Sequence, residues 1–239
     1  MNRIQFFFRR AVSPALPALL FIACLTGCGG APVTEKAVET AKTNTVASAP
    51  AASEAAVAAA KSAPLDSLTK SMQAALAAKS MRARLQSTSG GQEMVMEFEY
   101  AAPDRYHTKG AGMEMILIGN DTWTKLPGQE RWMKMGAGMG KAIESFRNSK
   151  MIEELKKSTD MKFIGPDLLD GAPTLVYEYT AKDAMGLSGT SKSKTWVGAL
   201  DNLPRKMEFT GDYGGTKSTG TMTWYDYNAD VRIEPPAMK

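Results

Sequence analysis

From Met81 to Tyr227, outside one central segment, the apolar positions of this chain recur every second residue, and turn residues break the pattern at short intervals. Met81, Ala83 and Leu85 alternate with Arg82, Arg84 and Gln86; after Ser89-Gly90-Gly91, Met94, Met96, Phe98 and Tyr100 alternate with Val95, Glu97 and Glu99. Successive side chains of a strand point to opposite faces, so a period of two predicts strands with one buried face. Further strands are expected over 105–109, Met113–Ile118, 122–125, 131–135, 161–164, 174–180, 193–197, 206–210 and 219–227. Pro103-Asp104, Gly119-Asn120-Asp121, Pro127-Gly128, Asp170-Gly171, Met185-Gly186, Asp201-Asn202 and Tyr213-Gly214-Gly215 turn the chain between them. These connections are too short for parallel crossovers, so the sheet is antiparallel. About eleven strands cannot lie in one flat sheet and must curl or close.

Two segments carry a helical period instead. Leu65, Leu68, Met72 and Leu76 share one side of a predicted helix over 65–79, started by Pro64, with Lys70, Ser71 and Lys79 elsewhere. After the break at Gly136–Gly140, Ile143, Phe146, Met151, Ile152 and Leu155 form the apolar stripe of a helix over 141–157. The fold class expected is mainly β (α+β), a strongly curved antiparallel sheet with the helices against its concave face.

The N-terminus reads as an address. Arg3, Arg9 and Arg10 precede an apolar stretch over 11–25 that is shorter than the roughly 20 residues of a spanning helix. That arrangement fits a secretory signal. Leu25-Thr26-Gly27-Cys28 then resembles a bacterial lipobox, which implies cleavage after 27 and acylation of Cys28. Two or three acyl chains anchor stably, each buried methylene adding about 0.8 kcal/mol. Gly29, rather than Asp, resembles an outer-membrane address. Residues 28–63 lack aromatics, Leu and Ile, and are expected to form a flexible tether, with 51–60 transiently helical. Residues 64–239 are expected to form the folded domain.

The whole chain has a net charge of +4, but residues 1–27 hold three Arg and no acid, so the mature protein is close to neutral. No concentrated basic face points to nucleic acid. Cys24 leaves with the signal and Cys28 takes lipid, so no disulfide is expected.

The order of lipobox, tether, helix, meander, helix and further strands resembles the outer-membrane lipoprotein carrier superfamily, which includes the LolA and LolB proteins and the mycobacterial LppX/LprG group. The stretch from Phe98 to Tyr106, the hairpin Gly119-Asn120-Asp121-Thr122-Trp123 and the strand lead-in Leu203-Pro204-Arg205-Lys206-Met207 are similar to turns of that family. The resemblance spans about 65–234. It implies an unclosed half-barrel whose apolar cavity holds acyl chains. Arg84 and Arg105 both stand where the family's lid-gating arginine is sought, and neither is assigned.

Three i, i+2 pairs, Met94/Met96, Met113/Met115 and Met133/Met135, each point to one face. Methionine is unbranched and polarizable and suits varied apolar ligands. The expected cavity lining is Met94, Met96, Phe98, Met113, Met115 and Leu117, with Phe146 and Ile152 on the second helix acting as a lid. The same residues read equally as an ordinary core, or more remotely as Cu(I) thioether ligands. Ile116 and Ile118 fall on the opposite face, so that strand is expected to be covered on both sides. The four tryptophans are expected half-exposed, either in cross-strand aromatic pairs or at sheet edges and membrane or protein contact surfaces.

His107 is the single histidine, expected to be exposed or on an edge strand. No nucleophile elbow, metal-ligand spacing or phosphate loop accompanies it, so no enzyme, metal or cofactor is expected. The resulting expectation is a monomeric lipoprotein, lipid-anchored and facing the periplasm, that binds the acyl chains of a lipid or lipoprotein for transport or sorting. The alternative is an envelope sensor that binds a regulatory protein without carrying cargo.

Overall fold

The computed structural model describes residues 51–136, 149–182 and 188–238, without the side chains of 149–151. The expected signal segment, Cys28, most of the expected tether, Phe146 and the first half of the expected second helix lie outside the described residues.

The chain runs α1 (Glu54–Ser62), α2 (Pro64–Ala77), β1 (Ser80–Ser89), β2 (Gln92–Ala101), β3 (Arg105–Gly110), β4 (Met113–Ile118), β5 (Asp121–Lys125) and β6 (Met133–Met135). It continues with α3 (Ser149–Lys156), β7 (Thr159–Leu169), β8 (Ala172–Lys182), β9 (Gly189–Gly198), β10 (Pro204–Tyr213) and β11 (Thr216–Tyr225). All strands join one 11-stranded antiparallel sheet in the order β6-β5-β4-β3-β2-β1-β11-β10-β9-β8-β7. The two ends do not pair, so the barrel stays open. β1 and β11 close the middle, and two meanders extend outward from them.

Tight turns set the register. Asp170 and Gly171 join β7 to β8 with φ of 51° and 78°. Two positive φ values make the primed turn whose twist matches a hairpin, and glycine adopts it without a Cβ penalty.

The helices pack on β7–β10. Leu68 of α2 and Leu155 of α3 bury against Leu175, Tyr177 and Tyr179 of β8 and Val197 of β9. Burial pushes the Tyr177 and Tyr179 hydroxyls above the usual tyrosine range, and Tyr179 Oη donates to the Met207 sulfur at 3.6 Å. Ser71, placed off the apolar stripe of α2 by sequence, is fully buried. Its small side chain lets the helix approach closely.

The packed structure begins earlier than residue 64. Residues 54–62, expected in the tether, form α1, capped by Ser53 accepting from the Ala56 amide. Ala60 is fully buried in the same core as Leu68. An alanine run shows no period-3.6 contrast, so this docking left no apolar stripe to read.

The opposite face of β4 and β5 is covered by the chain's own C-terminal tail. Ile116 and Trp123 bury with Val231 and Ile233, and Ala101, Ile118 and Trp132 pack around them. The Asn228 amide donates to the Ser80 carbonyl, Ser80 Oγ donates to the Ala229 carbonyl, and the Arg105 guanidinium donates to the Ile233 carbonyl. Ile116 and Leu117, on opposite faces of β4, are thus both buried, as the sequence implies, while Met113 at the start of the strand is exposed.

Trp132 and Trp224 are half-buried, as expected, and the other two tryptophans are not. Trp123 and Trp196 are buried, and lysines lie over their rings. Lys134 covers Trp123, while Lys194 and Lys206 stand 4.7 and 4.9 Å from the Trp196 centroid. Trp196 Nε1 donates to Asp167. That bond and the Leu168 amide hold the Asp167 carboxyl below its ordinary range. The aromatic contacts found among the described residues, Tyr100–Tyr106 and Phe163–Tyr177, involve no tryptophan.

Candidate functional site: an apolar face and its charged reverse

Residues directly opposite in an antiparallel ladder share a face, so the register identifies which side each side chain takes. One row runs Met113 (β4), Gly110 (β3), Met96 (β2), Leu85 (β1), Met222 (β11), Met207 (β10), Thr195 (β9), Tyr177 (β8) and Phe163 (β7). Tyr177 lies in the core under the helices, so the whole row is on the helix face. The next row places Met133, Thr124, Met115, Thr108, Phe98, Ala83 and Trp224 on it. A third adds Met135, Thr122, Leu117, Tyr106 and Tyr100. Met94 joins through Ser87 and Gly220.

Met94, Met96, Phe98, Met113, Met115 and Leu117 therefore share one side of the sheet, the side that carries the helices. Leu117 is buried, whereas Met94 and Met113 stay 38% and 39% exposed. The helices' main contacts with the sheet fall on β7 and β10. Apolar surface thus continues from beneath the helices onto β1–β6, where it reaches the exterior. Ile152 is half-buried on α3; Phe146 is outside the described residues. Sequence reading passed over Leu85, Met207 and Met222 as part of this surface. Each obeys the period of two, but only pairing across β1, β11 and β10 reveals that they extend the methionine row.

The reverse face is charged, and His107 sits in it rather than on an edge. Strand β3 is interior, and its imidazole is half-buried between two carboxylates. Nδ1 lies 2.9 Å from Glu99 and Nε2 lies 2.8 Å from Glu114. Arg82 bridges Glu99 and Asp226 at 2.7 and 2.8 Å; Lys109 and Lys125 stand 3.2 and 3.3 Å from Glu114. Burial pushes both glutamates up, but hydrogen bonds from Arg82 and His107, and from His107, Lys109 and Lys125, outweigh it. Both carboxyls are held below their ordinary range. Every member is occupied by a neighbouring strand, so the arrangement cross-links β1–β5 and leaves no unpaired base. A groove of about 490 Å³ opens over β1, β2, β10 and β11, where Thr88, Thr210, Thr219 and Thr221 line it together with Met94, Val95 and Phe209.

Among the described residues no group of His, Cys, Asp and Glu could hold a metal ion, and no helix is long and apolar enough to cross a membrane.

This architecture, an open antiparallel half-barrel with helices on one face, is shared by solved lipoprotein structures. The lipoprotein LppX of Mycobacterium tuberculosis superposes with a TM-score of 0.55 at 16% identity, covering 72% of this chain and 99% of that one. LprF of Mycobacterium bovis superposes with a TM-score of 0.52 at 14% identity, covering 79% and 100%. No family model matches the sequence, and no curated protein gives a significant match. The likeness is one of fold.

Proposed function

We propose that this protein binds the acyl chains of a lipid or an acylated lipoprotein on its helix face, for transport or sorting in the cell envelope. The observation that carries the reading is the helix-face row Tyr177, Thr195, Met207, Met222, Leu85, Met96, Gly110 and Met113, predominantly apolar, buried at Tyr177 and exposed at Met113. Met94, Met96, Phe98, Met113, Met115 and Leu117 would form the floor. Phe146 and Ile152 would close over it, with the glycines at 136–140 as hinge. Unbranched thioether side chains adapt to a flexible chain, and burial would supply affinity at roughly 25 cal/mol per Å². Cys28 would carry the anchor and hold the domain facing the periplasm, with Gly29 favouring the outer membrane. The lipoprotein LppX has this fold, which agrees with such a placement.

Native mass spectrometry and lipid extraction of protein purified without detergent test this. Phospholipid or acylated peptide at stoichiometric level is the expected result. A folded, monomeric and lipid-free protein would overturn it.

A protein-binding sensor is the second reading. It is favoured by β7, an end strand of the sheet whose Ile164 and Leu168 are 50% and 59% exposed. An open strand edge can pair with a partner's strand. Pulldown from envelope extracts would then yield one stoichiometric partner in place of lipid.

A further inference from the structure

We propose that Thr122 and Thr124 form a hydrogen-bonding foothold for the ester or amide carbonyls of a diacyl ligand, at the β4–β6 end of the helix face. This rests on the acyl-binding reading and specifies the polar end of that ligand.

Both side chains point to the helix face. Thr122 stands between Leu117 and Met135, and Thr124 between Met115 and Met133. Thr122 is 0% and Thr124 5% exposed, and neither hydroxyl has a hydrogen-bond partner. A hydroxyl withdrawn from water and left unpaired is costly, and buried polar groups ordinarily find partners. Valine has nearly the same shape and an equal preference for strands, yet β5 places a hydroxyl at both successive helix-face positions. All of their directly paired neighbours are apolar. The pair is therefore polar chemistry set into an apolar floor, with donors free to be used.

The chemistry of the ligand follows from the donors. Helix-face positions of β4–β6 are Met113, Met115, Leu117, Thr122, Thr124, Met133 and Met135, which include no charge. A carboxylate or phosphate would be buried there without a counter-ion, whereas a neutral carbonyl needs only an O–H. The strand rise sets the two hydroxyls about 7 Å apart, so each can serve one carbonyl of a diacyl lipid. The paired methionines each have three rotatable bonds and can swing aside to admit it.

The test compares the full chain with its T122V/T124V and T122S/T124S variants, titrating a pyrene-labelled diacylglycerol and the pure hydrocarbon diphenylhexatriene by fluorescence. The wild type should bind both. T122V/T124V should lose about five- to tenfold in affinity for the diacylglycerol, as expected for one net hydrogen bond or slightly more, with hydrocarbon binding unchanged. T122S/T124S should keep both affinities. Unchanged diacylglycerol binding in T122V/T124V, or equal loss of both probes, would overturn the foothold while leaving the acyl-binding reading in place. A wild-type protein that binds neither probe would overturn that reading and the foothold with it.

Discussion

The side chain of Met96 on β2 occupies the space that Gly110 on β3 leaves open: a Cβ at Gly110 would stand 2.7 Å from Met96 Cγ and 2.7 Å from the Val95 carbonyl oxygen. Gly110 lies in the helix-face row between Met96 and Met113, so its missing side chain lowers the floor where the two methionines face each other. The Val95 oxygen is backbone and cannot rotate away. Gly110→Ala should therefore cost about 1–3 kcal/mol through overpacking, read as a lower midpoint in urea unfolding. Because Met96 must lift, retention of a fluorescent fatty acid should fall too. An unchanged midpoint would show that the sheet yields there without strain.

Acid should weaken the reverse face in a defined direction. Glu99 and Glu114 have carboxyl groups held below their ordinary range in the folded state. A depressed carboxyl contributes stability that is complete above the unfolded value and is lost as pH falls through the folded one. Glu114→Gln leaves His107, Lys109 and Lys125 facing a neutral amide and should cost about 1–3 kcal/mol at neutral pH. The deficit should shrink below the ordinary glutamate range, where the wild-type carboxyl is protonated as well. Denaturant melts of both proteins at neutral and acidic pH measure this, and a deficit that is the same at both would contradict the assignment.

Local pattern made the strands legible. The alternation Met94/Met96/Phe98 against Val95/Glu97/Glu99 needs no partner to be read, and Asp170-Gly171 announces its hairpin. The methionine face followed from the same parity. What stayed hidden depends on distant pairing. His107 looks unaccompanied along the chain, because Glu99 and Glu114 reach it from the two neighbouring strands. Val231 and Ile233 sit in a tail with no periodicity, and their partners Ile116 and Trp123 lie more than a hundred residues earlier. The alanines of α1 are all good helix formers, which conceals the one that docks.

That concealed contact can be tested at Ala60, which is fully buried between α1 and the core of Leu68, Leu155 and Tyr177. Ala60→Gln would drive a longer polar side chain into this contact and should destabilise by about 1–3 kcal/mol. Ala58→Gln, an exposed position on the same helix, should have almost no effect. Thermal melts of the two variants separate a docked helix from a free tether, since a tether would tolerate both equally.

The C-terminal tail gives the largest effect expected from a segment without secondary structure. Ile233 is 3% exposed and Val231 8%, both against Ile116 and Trp123. Ile233→Ala should cost about 2–4 kcal/mol, the range for truncating a buried aliphatic side chain. Ending the chain after Ala229 should cost more, because it removes both residues and uncovers the indole of Trp123. Tryptophan emission reports this directly: the shortened chain should emit at longer wavelength in its folded state, as water reaches Trp123. The hydrogen bonds from Asn228 to Ser80 and from Ser80 to Ala229 remain in that variant, so β1 keeps its anchor. A loss of fold would then be due to the uncovered β4–β5 surface. If emission and midpoint both match the full chain, the tail lies on the surface without stabilising it, and the burial of Ile116 must come from another part of the molecule.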